Sequence, residues 1–152
     1  MMSTPGIDPR GPRFTAAVTF VIFAVALLLS DARPGVAAVL TGVQAVFFAI
    51  GAGLGVQKTP TGVLFRSVVR PRLTPPDHLE DPAPPRFAQA VGLVFAVVAT
   101  IGFATGAVLL GQVFAGFAIV AAFLNAVFAF CLGCEMYLLG LRLSPKSPTS
   151  GG

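Results

Sequence analysis

Apolar and polar positions alternate in long blocks along the chain, giving four extended apolar stretches, two short turns and one long polar connection. The first stretch opens at Phe14 and reaches Leu29 without a charge, and Ser30-Asp31-Ala32-Arg33-Pro34-Gly35 then reads as a turn. Val36 to Val56 is apolar again, so these two segments predict a helical hairpin. A third stretch runs from Phe87 to Thr105 and a fourth from Ala107 to Phe130, with a weak boundary at Phe103-Ala104-Thr105-Gly106. A hydrocarbon layer of about 30 Å asks for about 20 apolar residues per helix. The expected fold is therefore an all-α membrane protein with transmembrane helices over 14–30, 36–56, 87–105 and 107–130. A basic flank before a short apolar stretch also suits a signal peptide, but no small-x-small cleavage site stands around Ser30 to Arg33.

Within the long connection, Thr61 to Arg70 carries Val63, Leu64, Phe65, Val68 and Val69, with Arg66 and Arg70 on the opposite side. That pattern predicts a short helix lying at the headgroup level with both arginines toward lipid phosphate. Pro71 ends it, and Pro75, Pro76, Pro82, Pro84 and Pro85 keep the following segment extended. In the second span Ala45, Ala49 and Gly53 at four-residue spacing, with Gly51 and Gly55, make a face small enough for close helix contact. Thr41, Gln44 and, in the fourth span, Asn125 are isolated polar groups expected to hydrogen-bond to neighbouring helices.

The chain also repeats itself. Asp8-Pro9-Arg10-Gly11-Pro12-Arg13-Phe14 returns as Asp81-Pro82-Ala83-Pro84-Pro85-Arg86-Phe87, displaced by 73 residues, and ten of the 19 positions from Asp8 to Ala26 are identical at that displacement. The expected organisation is one membrane domain, 1–152, made of two tandem hairpins: repeat 1 over 8–72 with its interfacial helix at 61–70, and repeat 2 over 81–143 with an interfacial segment at 135–142. Two crossings per unit give both copies one orientation. Nine of the ten Lys and Arg residues lie in the N-terminal segment, the central connection and the C-terminal tail, against Arg33 alone in the outer turns. The positive-inside rule then puts both termini in the cytoplasm of a multi-pass inner-membrane protein. Asp8 and Asp81 suit helix caps, Pro suits the first turn, and Arg13 and Arg86 can snorkel to phosphate as membrane anchors.

Composition agrees with a bilayer environment: 55% of the 152 residues are hydrophobic and 11% charged, with a mean hydropathy of +0.87, whereas soluble domains are about 25% charged. The net charge of +4 does not indicate nucleic acid, because the basic residues flank spans and form no patch interleaved with aromatics.

Candidate chemistry is confined to Cys131-Leu132-Gly133-Cys134-Glu135, which holds both cysteines of the chain. Two thiols three residues apart can close a small ring, the requirement of a redox or sulfur-relay dithiol. If Gly133 permits a break and a new helix starts there, its positive end favours the thiolate; if the fourth helix continues unbroken, that activation is lost. A metal site asks for about four ligands, so one such pair would need a dimer or the distant His78, and no metal is assigned. His78 itself sits among Asp77, Glu80 and Asp81 and reads as solvated. Buried cysteines used as small apolar residues are the structural alternative. No phosphate-binding glycine loop, zincin helix or nucleophile elbow is present in the sequence.

Asp81 to Gln89, Asn125 and Phe130-Cys131-Leu132-Gly133-Cys134-Glu135-Met136-Tyr137 together resemble a family of small bacterial integral membrane proteins catalogued as a domain of unknown function. The resemblance runs from Asp8 to about Arg142 and implies four spans and a shared dithiol, with no activity attached. A looser resemblance is to four-helix membrane thiol oxidoreductases of the quinone-linked kind, from which this chain departs in having a single cysteine pair, placed at the cytoplasmic face. The functional expectation is thiol-disulfide exchange or sulfur relay by Cys131 and Cys134 with a thioredoxin-like or sulfurtransferase partner, the cofactor unknown. A non-enzymatic scaffold with structural cysteines and a small metal or solute carrier stand beside it. Against the carrier is the lack of charged residues inside the spans.

Overall fold

The computed structural model describes residues 6–144. Among the described residues four helices are long and apolar enough to cross a membrane: α1 (Arg10–Leu29), α2 (Pro34–Leu54), α4 (Ala83–Thr105) and α5 (Val108–Phe128). Between them α3 (Pro60–Leu64) continues through a π turn at Phe65–Val69 and a 3₁₀ turn at Arg70–Arg72, and α6 (Leu132–Leu143) follows α5. The protein is all-helical as expected, with one isolated backbone bridge between Ile7 and Glu80. Lys146, counted above with the basic tail, lies outside the described residues.

The boundaries move for identifiable reasons. α1 and α4 begin at Arg10 and Ala83, four residues before the apolar stretches open at Phe14 and Phe87. Pro12, Pro84 and Pro85 are tolerated there because first-turn N–H groups have no intrahelical acceptor to lose. Gly55 at φ 112° stops α2, and Gly106 at φ 89° stops α4 in the left-handed conformation that glycine reaches without a Cβ clash.

The spans form a four-cornered bundle in which α2 packs most extensively on α4 and α1 on α5, while each hairpin pair is also in contact. Small residues let the backbones approach, and a few rings fill what is left. The centre holds Ala26, Ala37, Ala96, Ala99 and Ala115 around Phe23, Phe48 and Phe103, and Gly92 lies under the Phe48 ring, where a Cβ would come within 2.8 Å. Outward positions are apolar: Leu28 is 83% and Leu109 72% exposed, a pattern suited to lipid contact rather than water.

The inward face of α2 keeps Ala45, Gly51 and Gly55 of the expected small residues but not Ala49 and Gly53. The buried stripe is Ala37, Thr41, Gln44, Phe48 and Gly51, while Ala49 and Gly53 face outward. Thr41 and Gln44 decide this, since a polar group facing lipid is costlier than a small residue there. Thr41 meets the Thr100 hydroxyl of α4 at 2.8 Å, and the Gln44 amide donates to Thr19 of α1 at 3.2 Å. At the far end Gln112 of α5 donates to Ser30 and Asp31, both at 3.0 Å, tying α5 to the α1–α2 turn.

Candidate functional site

α5 ends in a left-handed residue that is not glycine. Ala129 has φ 56°; its N–H donates to the Asn125 carbonyl at 3.1 Å, and the Phe130 N–H reaches back to Leu124 at 3.1 Å. The first is the single bond of an αL cap, and together the two satisfy carbonyls of the last turns of the helix. The chain is thereby redirected, and a new helix starts with Cys131, in an extended conformation, at its N-cap. Of the two possibilities left open by the sequence, the helix break is the one adopted.

Cys131 and Cys134 are joined by a disulfide across a Cα–Cα distance of 5.2 Å. Cys131 Sγ also accepts the Cys134 N–H at 3.2 Å, the bond an N-cap oxygen would make. Both residues are half-buried, and Phe128, Phe130, Leu132 and Met136 form an exposed apolar surround. Gly133 fixes the seat of α6. A Cβ there would come within 2.6 Å of Ala88 on α4, so only glycine allows this approach. One turn on, the Tyr137 ring lies 5.6 Å from Phe87 of α4. Glu135 occupies the first turn of α6, where a negative charge suits the helix dipole.

A second corner has the same construction without sulfur. Thr59 is the N-cap of α3, its Oγ1 accepting the Gly62 N–H at 3.0 Å while its hydroxyl donates to Val56 at 2.7 Å. Thr61 meets Thr15 of α1, hydroxyl to hydroxyl, at 3.0 Å, and the Phe65 ring lies 5.9 Å from Phe14. Phe14 and Phe87 are 73 residues apart; Thr59 and Cys131, Gly62 and Cys134, Phe65 and Tyr137 are each 72 apart.

The same offset connects the arginines. Arg13 donates to the Ala126 carbonyl near the end of α5 at 3.1 Å. Arg86, 73 positions later, donates to Gly53 at 2.7 Å and to Ala52 at 3.1 and 3.3 Å at the end of α2. Both reach helix C-terminal carbonyls, where a cation meets unpaired acceptors and the negative end of the dipole. Ile7 and Glu80, also 73 apart, exchange both backbone hydrogen bonds at 2.9 Å. Asp8 and Asp81 accept the N–H two residues ahead, from Arg10 at 3.0 Å and Ala83 at 2.9 Å. These contacts place the starts of α1 and α4 and the ends of α2 and α5 at one end of the bundle, with α3, α6 and the disulfide.

Asp8 is the most strongly held charge of this end. It is 7% exposed, pairs with Arg10 at 2.9 Å and lies 3.6 Å from Arg70. The Arg10 hydrogen bond keeps its carboxyl below the ordinary value of 3.8 against the opposing effect of burial. Arg66 donates to the Gln57 carbonyl at 2.9 Å, so both arginines of the α3 segment have protein partners as well as exposed surface. Asn125 is half-buried, and its side chain makes no hydrogen bond among the described residues, unlike Thr41 and Gln44. His78 is exposed beside Glu80 at 3.3 Å, and no cluster of three His, Cys, Asp or Glu residues stands among the described residues. Thr59 and Gln112 are functional to the architecture and escaped the sequence reading; the signal for Thr59 was a Thr directly before Pro60, an N-cap followed by a first-turn proline.

A family model described as a domain of unknown function, DUF4395, matches residues 7–142. Neither the curated proteins nor the solved structures include a match.

Proposed function

The chain belongs to the DUF4395 family of domains of unknown function, and from that premise we propose that it is a bacterial inner-membrane thiol-disulfide exchange protein acting through Cys131 and Cys134. The observation that carries this reading is the seating of Cys131 at the N-cap of α6, disulfide-bonded to the residue whose N–H its sulfur accepts. After reduction that amide and the helix dipole favour a thiolate at Cys131, the species that attacks disulfides. Cys131 is therefore the attacking residue and Cys134 the resolving one.

In the reducing direction, the Cys131 thiolate attacks a partner disulfide, forming a mixed disulfide and releasing one partner thiolate. The Cys134 thiolate then attacks Cys131 Sγ, closing the Cys131–Cys134 bond and releasing the second partner thiolate, so two electrons pass to the partner. The reverse sequence oxidises a partner dithiol. The partner class this chemistry suits is a thioredoxin-like protein, or a sulfurtransferase if Cys131 carries persulfide sulfur. The basic end of the bundle, with Arg10, Arg13, Arg66, Arg70, Arg72 and Arg86, supports a cytoplasmic dithiol with both termini on that side. The recurrent offsets of 72 and 73 residues support a division into two tandem units, 8–72 and 81–143.

A structural role for the cysteines has one observation in its favour, since Cys131 does cap α6. The two readings separate in a trapping experiment with a thioredoxin-like protein. Cys134→Ser accumulates a mixed disulfide through Cys131, and Cys131→Ser accumulates none while keeping its fold, because serine is a good N-cap. Equal silence from both single variants and the wild type would leave only the structural role.

A further inference from the structure

The corner without thiols has an opening that the thiol corner's described contacts do not require. Between α3 and the start of α1 lies a cavity of about 180 Å³, walled by apolar Ile7, Val56, Phe65 and Leu79 and reached by Arg66 and Arg70. The same two arginines line a neighbouring hollow of about 350 Å³ against the proline-rich connection at Pro71, Pro75 and Pro76. Each guanidinium has donors to spare: Arg66 uses Nη2 on the Gln57 carbonyl, and Arg70 approaches Asp8 only through Nε at 3.6 Å. The single carboxylate of these walls, Asp8, is already held by Arg10 through two side-chain bonds of 2.9 and 3.0 Å. Gln57 is one of the residues lining the cavity, and its Oε1 is buried without a hydrogen-bond partner. Val63, Leu64 and Val68 project exposed from the same helical segment.

We infer that this corner is a binding site for one phospholipid headgroup, its phosphodiester held by Arg66 and Arg70 and a headgroup hydroxyl or ammonium donating to Gln57 Oε1. Paired guanidinium forks recognise phosphate oxygens through charge-assisted bonds, and the orphaned amide oxygen selects a headgroup that carries a donor over one that does not. The acyl chains leave along Val63, Leu64 and Val68 into the bilayer. This inference is independent of the dithiol, which lies in the other corner.

The test is lipid retention. Full-length protein is reconstituted in nanodiscs of phosphatidylcholine with a minor fraction of phosphatidylglycerol, re-extracted in mild detergent, and its bound phospholipid counted by native mass spectrometry. The wild type keeps phosphatidylglycerol in preference to phosphatidylcholine, whose headgroup has no donor. Arg66→Gln/Arg70→Gln lowers that retention about tenfold, and Gln57→Leu, which leaves both charges and their attraction to the anionic lipid in place, lowers it by a smaller factor. An intact Cys131–Cys134 disulfide and an unchanged elution volume show that each variant is folded. Retention unchanged in the double variant overturns the site. Inorganic phosphate titrated in detergent should move the melting temperature no more than chloride does; a specific shift that the double variant loses would assign the corner to free phosphate and overturn the lipid.

Discussion

The corner of α1 with α3 and the corner of α4 with α6 share a ring contact, a capped helix start and a close approach of the capped helix to its span. They differ where the cap is made: Thr59 and Gly62 in the first, Cys131 and Cys134 in the second. A threonine hydroxyl is a better acceptor than a sulfur, so capping alone does not call for cysteine, and the first corner shows the job done without it. The charges are divided too. Arg66 and Arg70 border cavities in the first corner, while 72 positions on the second corner has Leu138 in place of Arg66 and Arg142 in place of Arg70. One scaffold thus carries a second arginine at one corner and a disulfide at the other.

The sharpest structural contrast is steric. A Cβ on Gly62 would press on the Val56 carbonyl and come within 2.9 Å of the Gln57 backbone, so Gly62→Ala is expected to destabilise the protein by about 1–3 kcal/mol. The counterpart Cys134→Ala removes the disulfide and leaves the corner's packing on Gly133 in place; thermal unfolding of both variants under reducing conditions, with the larger loss in Gly62→Ala, checks the contrast. Next come the arginines. Arg86→Gln gives up contacts to both Ala52 and Gly53, Arg13→Gln one contact to Ala126. The expected losses are about 1–2 kcal/mol for Arg86, discounted for exposure, and less for Arg13, read by denaturant titration in detergent.

Removing the caps should reproduce their difference in acceptor strength. Thr59→Ala costs about 1 kcal/mol, and in reduced protein Cys131→Ala costs less than that; equal losses would mean the sulfur is as structural as the hydroxyl. The smallest mutational effect is a gain. Ala129 bears the left-handed penalty of about 1–2 kcal/mol, partly offset by the backbone entropy that glycine would lose, so Ala129→Gly stabilises by about 0.5 kcal/mol. Acid sharpens the charge contrast. Asp8 has a folded-state value below 3.8, so its contribution is complete above that value and is lost as pH falls through the lowered one. Asp8→Asn should flatten that acid limb in a pH series of melting temperatures.

The spans were legible because hydrocarbon imposes length and composition on each of them, and the Asp-Pro-x-x-Pro-Arg-Phe pattern was legible because identical local geometry reuses identical residues. The break before Cys131 was not. Gly106 announces the end of α4, but alanine at position 129 carries no signal for a left-handed turn, and the bonds that hold it there belong to Asn125 and Leu124. Arg13 and Arg86 were readable as basic flanks, but their acceptors lie 113 and 33–34 residues away, set by helix packing. The inward face of α2 shows the same competition between two rules: spacing favoured Ala49 and Gly53 beside Ala45, whereas the desolvation cost of Thr41 and Gln44 set the outcome.

The central claim is that the sulfur at the second corner is there for exchange. The most direct measurement is a redox titration of the purified full-length protein, with free thiols counted by mass after alkylation at each poise. One reversible two-electron transition is expected, interconverting the Cys131–Cys134 disulfide with two alkylatable thiols within the range of cytoplasmic thiol couples. A pair that stays in one state across every buffer, neither reduced nor reoxidised while the protein remains folded, would contradict it.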